Sequence, residues 1–275
     1  MLITSKSNEK VKFVKSLNEK KFRQKNNAYY LEGLKVTYEI LNSEEAVNIL
    51  FIAYSSEILL KNKCEKFNEK ELLNLCLKKN IQIIDIAENI FKDMCETVTP
   101  QGILCVIKNI AKDIREELIK NKEKNVFILD GVQDPGNIGT IVRNAVAFDI
   151  KNIICLNNTT DVFSPKSLRS TMGTILKVNI FYAHNEDEIF KILKDTEYCL
   201  VGTSLSSSID IDKLEFDKSY AFILGNEANG VRDEVLEKCE KNIKIKMTDK
   251  IDSLNVSVAS GIIGYYQYIN KKYFF

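Results

Sequence analysis

The sequence contains a single histidine, His184, and that scarcity excludes several kinds of active site. A Ser–His–Asp triad would have to use His184, which lies in "FYAHNEDE" at the end of a predicted strand, far from any nucleophile motif. We therefore expect His184 in a surface loop. There is also no tryptophan, and only three prolines interrupt the chain.

Cysteine is present, but not in a pattern that binds zinc or forms a disulfide framework. The seven cysteines are odd in number and include no C-x-x-C pair, so we expect no metal site. Most of them lie in apolar runs and are predicted to be small core residues. They are Cys64, Cys76, Cys95, Cys105, Cys155, Cys199 and Cys239.

The chain lacks a run of about 18 apolar residues, and its start, "MLITSKSNEK", lacks the apolar core of a signal peptide. We therefore expect a soluble, cytoplasmic protein with no membrane partner. A length of 275 residues, 45% of them hydrophobic, is enough for one large or two ordinary domains.

The chain also lacks a strong net charge: its formal net charge at pH 7 is only +1. The first 27 residues are nevertheless basic, with eight cations against two acids. Such a basic end favours a nucleic-acid partner, although on charge alone a solvated helix face fits equally well. The cations are Lys6, Lys10, Lys12, Lys15, Lys20, Lys21, Arg23 and Lys25, and the acids are Glu9 and Glu19.

Two domains are predicted from the order of helical and strand patterns. Residues 1–108 mix both patterns and indicate a small α/β domain, and the charged segment 109–124 is a candidate linker. Over 125–275 six apolar strands alternate with helices, which predicts a parallel sheet covered on both faces. These strands are "VFILD", "NIICLN", "KVNIFY", "YCLVGTSL", "YAFILG" and "NIKIKM".

The stretch "DGVQDPGNIGTIVRNAVAFDI", residues 130–150, is typical of a strand, a glycine loop and a helix. It does not match a dinucleotide fingerprint, because its glycines are spaced G-x-x-G and the next strand ends in Asn157 and Asn158 rather than a carboxylate. No G-K-[ST] follows, so it is not a Walker loop either. Asn137 is the predicted helix N-cap, and Arg143 is either a phosphate ligand or an exposed, ion-paired arginine.

Polar loops follow the other predicted strands, at the edge of the sheet where ligands bind. "SPKSLRSTMGT" places Lys166 and Arg169 near this edge, and "LGNEANGVRDEV" holds Glu227 within a turn. "SLNVSVASGIIGYY" begins a helix at Ser253 and Asn255 and continues with small residues. Such a helix can pack closely against another backbone, within the chain or across a dimer.

Three of these segments, taken in order, resemble the signature motifs of the SpoU (TrmH) family of RNA ribose 2′-O-methyltransferases, in the SPOUT superfamily. They are "NIGTIVR" at 137–143, "LGNEANGV" at 224–231 and "SLNVSVA" at 253–259. "LRSTMG" at 168–173 is similar to a further family segment, and the resemblance spans about 124–270. The N-terminal part is similar to the substrate-binding domain of many members, which resembles a ribosomal protein.

The resemblance implies an α/β methyltransferase domain with a deep trefoil knot, which binds S-adenosyl-L-methionine and forms a homodimer. It implies methylation of a ribose 2′-hydroxyl in RNA, with 23S rRNA favoured over tRNA. The implied cofactor residues are Thr203, Leu224, Gly225, Ile245, Met247 and Leu254. The implied catalytic residues are Asn137, Arg143, Glu227, Ser253 and Asn255. The expected RNA contacts are Lys20, Lys21, Arg23, Lys166 and Arg169.

Within the implied active site, Arg143 is either the base or, as we prefer, a group that binds a phosphate and stabilises the alkoxide, since arginine is not deprotonated in proteins. Ser253 and Asn255 are expected to orient the ribose, and Glu227 to be structural.

The chain departs from the family pattern before its third motif. Lys246 and Asp249 stand where a proline and a glycine are usual, and Ala228 replaces a common glycine. These changes are expected to loosen the loop or alter cofactor affinity. Methylation of tRNA, on the ribose or the base, and a non-catalytic RNA-binding protein that retains the knot are the alternatives.

Overall fold

The structure is a computed structural model that describes residues 2–61, 68–205, 209–248 and 250–270. It divides into two compact units. The first contains the described residues up to Ala111 together with Phe163–Arg169, and the second contains Lys112–Val162 and the described residues from Ser170 onward. The residue pattern over 55–80 predicts a helix, and residues 62–67 of it, including Cys64, lie outside the described residues. So do Asp249 and residues 206–208 of the polar loop "TSLSSS", which follows a predicted strand.

The first unit is built on a five-stranded mixed sheet in the order β1-β4-β3-β5-β2. The strands are β1 (Leu2–Ile3), β2 (Ala28–Glu32), β3 (Ile49–Tyr54), β4 (Ile83–Ile86) and β5 (Ile103–Lys108). β4 runs parallel to β1 and β3, whereas β5 runs antiparallel to β2 and β3. The alternation predicted for this part of the chain therefore forms one sheet with helices packed on it.

Up to Ala111, the first unit contains six described α-helices, and its basic N-terminal part forms two of them. They are α1 (Glu9–Ser16), α2 (Lys20–Asn26), α3 (Leu34–Leu41), α4 (Ser56–Lys61), α5 (Glu69–Lys78) and α6 (Glu88–Met94). The pattern over 8–23 predicts a single helix, but the chain turns between α1 and α2. The Arg23 guanidinium donates to the carbonyl oxygens of Leu17, at 2.6 Å, and Asn18, at 2.7 Å, and so satisfies acceptors left at the end of α1.

The second unit contains the predicted parallel sheet, with seven strands in the order β10-β12-β9-β11-β6-β7-β8 and every neighbouring pair parallel. All six predicted strands are present, and the short β10 is an addition. The strands are β6 (Val126–Leu129), β7 (Asn152–Cys155), β8 (Asn179–Tyr182), β9 (Cys199–Thr203), β10 (Ile209–Asp210), β11 (Tyr220–Leu224) and β12 (Lys241–Lys244).

Helices accompany these strands, as the alternation predicts. They are α7 (Ile114–Lys120), α8 (Pro135–Ala147), α10 (Glu186–Asp195), α11 (Asp233–Leu236) and α12 (Val256–Asn270). A further helix, α9 (Pro165–Thr171), follows β7 in the chain, and its residues up to Arg169 belong to the first unit. α7 lies within the segment predicted as a linker. It begins at the Asp113 side chain, which accepts from the Glu116 amide, and it buries Leu118 in the core of the second unit. One buried leucine in a charged stretch is too weak a signal to predict a core helix.

Among the described helices, none is long and apolar enough to cross a membrane. His184 is exposed in a bend after β8, as expected. Four of the described cysteines are buried and two are partly buried, in agreement with their predicted place in the core. The trefoil knot stays a prediction.

Candidate active site

The first signature segment forms the start of α8, which begins earlier than predicted. The side chain of Asp134, not that of Asn137, is the N-cap, and it accepts from the amides of Gly136 at 2.7 Å and Asn137 at 3.3 Å. Pro135 occupies the first helical position, where its missing N–H costs nothing. The prediction of Asn137 as the cap was therefore wrong. Because Asp134 caps the helix, the side-chain amide of Asn137 can make contacts outside the helix.

The G-x-x-G spacing has a packing cause rather than a phosphate-binding one. A Cβ atom on Gly139 would lie 2.2 Å from the Cβ of Ser170 and 2.6 Å from its carbonyl carbon. Only glycine therefore allows α8 to pack this closely against the end of α9.

The second segment is a tight turn after β11. Asn226 and Gly230 exchange two backbone hydrogen bonds of 2.9 Å, and the Asn226 side chain donates to the Gly131 carbonyl at 2.8 Å. A Cβ atom on Gly225 would lie 2.1 Å from the Gly230 carbonyl carbon, so this turn requires glycine at that position. The turn holds Glu227 opposite the start of α8.

A hydrogen-bond chain joins the three signature segments. The Glu227 carboxylate accepts from the Asn137 side chain at 2.9 Å and from the amides of Gln133 and Asp134, both at 3.2 Å. Asn255 in turn donates from its side chain to Asn137 Oδ1 at 3.0 Å. Asn137 is thus the central member of a Glu227–Asn137–Asn255 chain.

Asn255 also begins α12. Its Oδ1 accepts from the Ser257 amide at 2.8 Å and from the Ser257 hydroxyl at 2.6 Å. One side chain therefore caps a helix and contacts Asn137, which fixes the distance between the third segment and α8.

The hydrogen bonds also act on the ionisation of Glu227. Partial burial raises the pKa of its carboxyl group, but hydrogen bonds from Asn137 and from the amides of Asp134 and Gln133 outweigh it, and the net result is a lowered pKa. Glu227 is therefore a carboxylate whose oxygens are committed to donors within the fold. This agrees with the expected structural role.

A cavity of about 490 Å³ lies beside this chain, at the carboxyl edge of the sheet. All six residues predicted to bind cofactor line it: Thr203, Leu224, Gly225, Ile245, Met247 and Leu254. Glu227 and Ser253 line it as well, so the cavity opens onto the predicted catalytic end. Most of its wall is apolar, and Thr203 Oγ1 donates to the Ile223 carbonyl at 2.8 Å.

Two of the departures from the family pattern, Lys246 and Ala228, lie in the described residues. Lys246 is exposed and is not among the described lining residues, whereas its neighbours Ile245 and Met247 are. Ala228 lies in the exposed turn that also lines the cavity.

Comparison with known proteins gives a consistent result. A sequence profile described as the SpoU rRNA Methylase family matches residues 124–265, and one described as an MRM3-like substrate binding domain matches residues 8–105. The chain is 32% identical over 264 residues to the Bacillus subtilis protein named 23S rRNA (guanosine(2553)-2′-O)-methyltransferase RlmP, covering 96% of this chain and 98% of that protein. The chain belongs to the SpoU rRNA methylase family.

Other SpoU-type proteins are similar over most of their length. A Staphylococcus aureus protein named putative TrmH family tRNA/rRNA methyltransferase is 29% identical, over 76% of this chain and 86% of that protein. The crystal structure of an AdoMet-bound rRNA methyltransferase from Sinorhizobium meliloti superposes with a TM-score of 0.83 at 25% identity, covering 97% of each chain. The α/β fold with a parallel-sheet domain is therefore that of known SpoU-type enzymes.

Arg143, another predicted catalytic residue of this SpoU protein, is not part of the Glu227–Asn137–Asn255 hydrogen-bond chain. It is exposed on α8, and its side chain has no hydrogen bond or ion pair with any other described residue. The reading of Arg143 as an ion-paired surface arginine is therefore wrong within the described part of the chain, and its guanidinium is available to a ligand.

The predicted RNA contacts divide into two groups. Lys20, Lys21, Lys166 and Arg169 are exposed. Arg23 is only 7% exposed, and its guanidinium is committed to the backbone at the end of α1. The prediction that Arg23 binds RNA was therefore wrong. Lys166 and Arg169 belong to Phe163–Arg169, a segment of the first unit.

Sequence reasoning missed Asn144, which supports the same site. Its side chain donates to the Ser257 carbonyl at 2.8 Å and to Ser260 Oγ at 2.9 Å. The signal was present in the spacing, because Asn144 follows Asn137 by seven residues and so lies on the same face of α8. Two asparagines two turns apart therefore hold α12 against α8.

A second missed feature is the buried carboxylate of Asp130, directly after β6. It accepts from the Arg232 amide at 2.9 Å and from Arg232 Nε at 2.7 Å, and Arg232 Nη2 donates to both carboxylate oxygens of Glu186 at 3.0 Å. These bonds anchor the far end of the turn that holds Glu227.

In the described residues, no group of three His, Cys, Asp or Glu could hold a metal ion.

Proposed function

We propose that this protein transfers a methyl group from S-adenosylmethionine to a ribose 2′-hydroxyl of 23S rRNA. The observation that carries the proposal is the Glu227–Asn137–Asn255 chain, which unites the three SpoU segments beside one cavity. The named activity of the similar Bacillus subtilis protein supports the same reaction and the same RNA.

The cavity suits the cofactor in size and chemistry. About 490 Å³ lies within the range of small-molecule sites, roughly 300–1,000 Å³. Leu224, Ile245, Met247 and Leu254 offer apolar surface for a nucleoside, and Gly225 lines the same cavity. When bound there, S-adenosylmethionine supplies a methyl group activated by its sulfonium.

The residues of this chain orient the acceptor. Ser253 and Asn255 hold the ribose hydroxyl in line with the methyl group, and positioning of this kind lowers the barrier without a strong base. Glu227 keeps Asn137 and, through it, Asn255 in place. Arg143 binds a phosphate of the target nucleotide with its forked donors and stabilises the developing alkoxide.

The first unit holds the RNA. It matches a substrate-binding profile, and its exposed cations Lys20, Lys21, Lys166 and Arg169 suit phosphate contacts. Structured RNA is recognised largely through its shape and its phosphates, which such a surface provides. We keep the cytoplasmic location as a prediction that follows from this substrate.

The protein acts as a homodimer through its methyltransferase domain. Val258, Tyr265 and Ile269 on α12 are 49%, 51% and 54% exposed and share one helix face. In sedimentation experiments, Tyr265→Lys should shift the protein from dimer to monomer. Leu77→Lys, at a site 75% exposed in the first unit, should leave it a dimer. A monomeric wild-type protein would contradict the proposal.

The activity is tested by incubating the protein with unmodified rRNA and tRNA and methyl-labelled S-adenosylmethionine, followed by nucleoside mass spectrometry. A labelled 2′-O-methylnucleoside from 23S rRNA is the expected product. Label in tRNA alone would replace the substrate, and label on a base would replace the reaction. If the protein bound RNA but neither bound the cofactor nor transferred label, it would be a non-catalytic RNA-binding protein.

A further inference from the structure

The wall of the cofactor cavity carries an uneven set of charges. Among its described lining residues, Lys244 is the one cation, and three residues are acidic. The acids are Glu227, Asp233 and Asp252. A wall with three negative side chains and one positive side chain suits a ligand with the opposite charges.

S-adenosylmethionine has such charges. At neutral pH it carries a positive sulfonium, a positive α-ammonium group and one negative α-carboxylate. An anion that leaves water needs a cation or strong donors to replace its hydration, and a lysine ammonium provides both. The one cation among the described lining residues therefore matches the single anion of the ligand.

Lys244 is in a position to serve this purpose. It is the last residue of β12, at the carboxyl edge of the sheet, and it is partly buried. Its side chain makes no hydrogen bond or ion pair with another described residue. Asp210 is its partner in the parallel register, but that carboxylate lies 3.9 Å from the ammonium of Lys213 instead.

We infer that Lys244 binds the α-carboxylate of the methionine half of S-adenosylmethionine. The inference rests on the proposed cofactor and adds a residue that lies outside the signature segments. Lys244 thereby sets the orientation of the ligand, because holding the carboxylate at β12 directs the sulfonium toward the end of the cavity that Glu227 and Ser253 line. The neighbouring Lys246 is exposed and is not one of the described lining residues, so it takes no part.

Binding calorimetry with two ligands tests this role without any turnover. S-adenosylhomocysteine keeps the amino-acid end, whereas 5′-methylthioadenosine lacks it. Lys244→Met removes the charge and keeps most of the apolar stem. It should weaken S-adenosylhomocysteine by about 10- to 100-fold, the usual effect of one charge-assisted hydrogen bond, and change methylthioadenosine by less than about twofold.

Two further variants complete the test. Lys244→Arg should restore most of the affinity for S-adenosylhomocysteine, and Lys246→Met should behave as wild type with both ligands. Equal losses for both ligands in Lys244→Met, no loss for either, or an Arg variant as weak as the Met variant would each overturn the inference. A loss confined to RNA binding would assign Lys244 to a phosphate instead. Wild-type protein that bound neither ligand would overturn the proposed function itself.

Discussion

At the scale of single residues, Asn137 connects segments that are far apart in the chain. Its side chain donates to Glu227, 90 residues later, and accepts from Asn255, 118 residues later. An asparagine amide can do both at once, because it carries a donor and an acceptor on one planar group. A carboxylate at this position would repel Glu227, and a leucine would leave both partners without a bond.

The ionisation of Glu227 predicts how this link responds to pH. Its pKa is lowered from the ordinary value of 4.5, so its contribution to stability is complete above that pH and is lost as the pH falls through the folded-state pKa. Wild type should therefore unfold at a higher temperature than Glu227→Gln at about pH 7, and the difference should shrink below pH 4.5. Thermal melts of both proteins across this range measure it. A difference that grew toward low pH would contradict the assignment.

Arg143 should act on RNA and not on the cofactor. Arg143→Lys keeps the charge but loses the forked donors, so we expect methyl transfer to fall by about tenfold or more while affinity for S-adenosylhomocysteine stays unchanged. Single-turnover rates and calorimetry separate the two effects. Arg115→Lys, at an exposed arginine of the same unit that is paired with Asp195, is the matched control. Full activity in Arg143→Lys would rule out a bidentate phosphate contact.

At the scale of helices and strands, the tight packing of α8 gives a test of its own. Gly139→Ala places a methyl group against Ser170 at distances of 2.2 to 2.6 Å, and relief of that clash should cost about 1–3 kcal/mol of stability. The same change at Gly261 in α12 meets Asn144 at 3.3 Å and should cost less. Chemical denaturation of both variants compares them. Equal stabilities would show that α8 can move away from α9 at little cost.

The same elements show what the sequence could predict and why the rest escaped. The six strands of the second unit were predictable because each is an apolar run bounded by turn residues. The first residue of α8 was misplaced because Asp134 and Asn137 are both good caps; Pro135, a residue type favoured at the first helical position, indicates Asp134. The break between α1 and α2 depends on where the Arg23 side chain goes, which a helical pattern does not contain. α7 was missed because Leu118 is its one fully buried residue, and Ile114, which also packs against the core, is only partly buried.

At the scale of the whole molecule, the ordered motifs predicted the residues of the site better than the distribution of charged residues did. The resemblance to the SpoU motifs implied the six cofactor residues together. Each signature segment follows a parallel strand, and the carboxyl ends of such strands share one edge, which explains why these residues line one cavity. The RNA-binding residues were chosen by charge, and charge does not distinguish an exposed lysine from a buried arginine. Arg23 was therefore wrong, and Asn144, an uncharged residue on the correct helix face, was overlooked.

RNA binding by the first unit should depend on its exposed lysines. Reversal of Lys20 and Lys21 to glutamate should weaken RNA binding and lower the slope of log affinity against log salt by about two, one for each lost phosphate contact. Affinity for S-adenosylhomocysteine should not change. Filter binding at several salt concentrations measures the slope, with Lys78 and Lys79, another exposed pair in this unit, reversed as the control. An equal effect in the control would mean that net charge, not location, governs binding.

The pairing of β6 with β11 has a consequence for how the protein folds. These central strands are neighbours in the sheet although they cover 126–129 and 220–224 of the chain, so the sheet cannot form from local contacts. Folds dominated by such distant contacts have a high contact order and reach the native state slowly. Because Asn137 meets Glu227 and Asn255 only after this closure, the active site arises late in folding, and a chain with only its first half formed has no part of the activity.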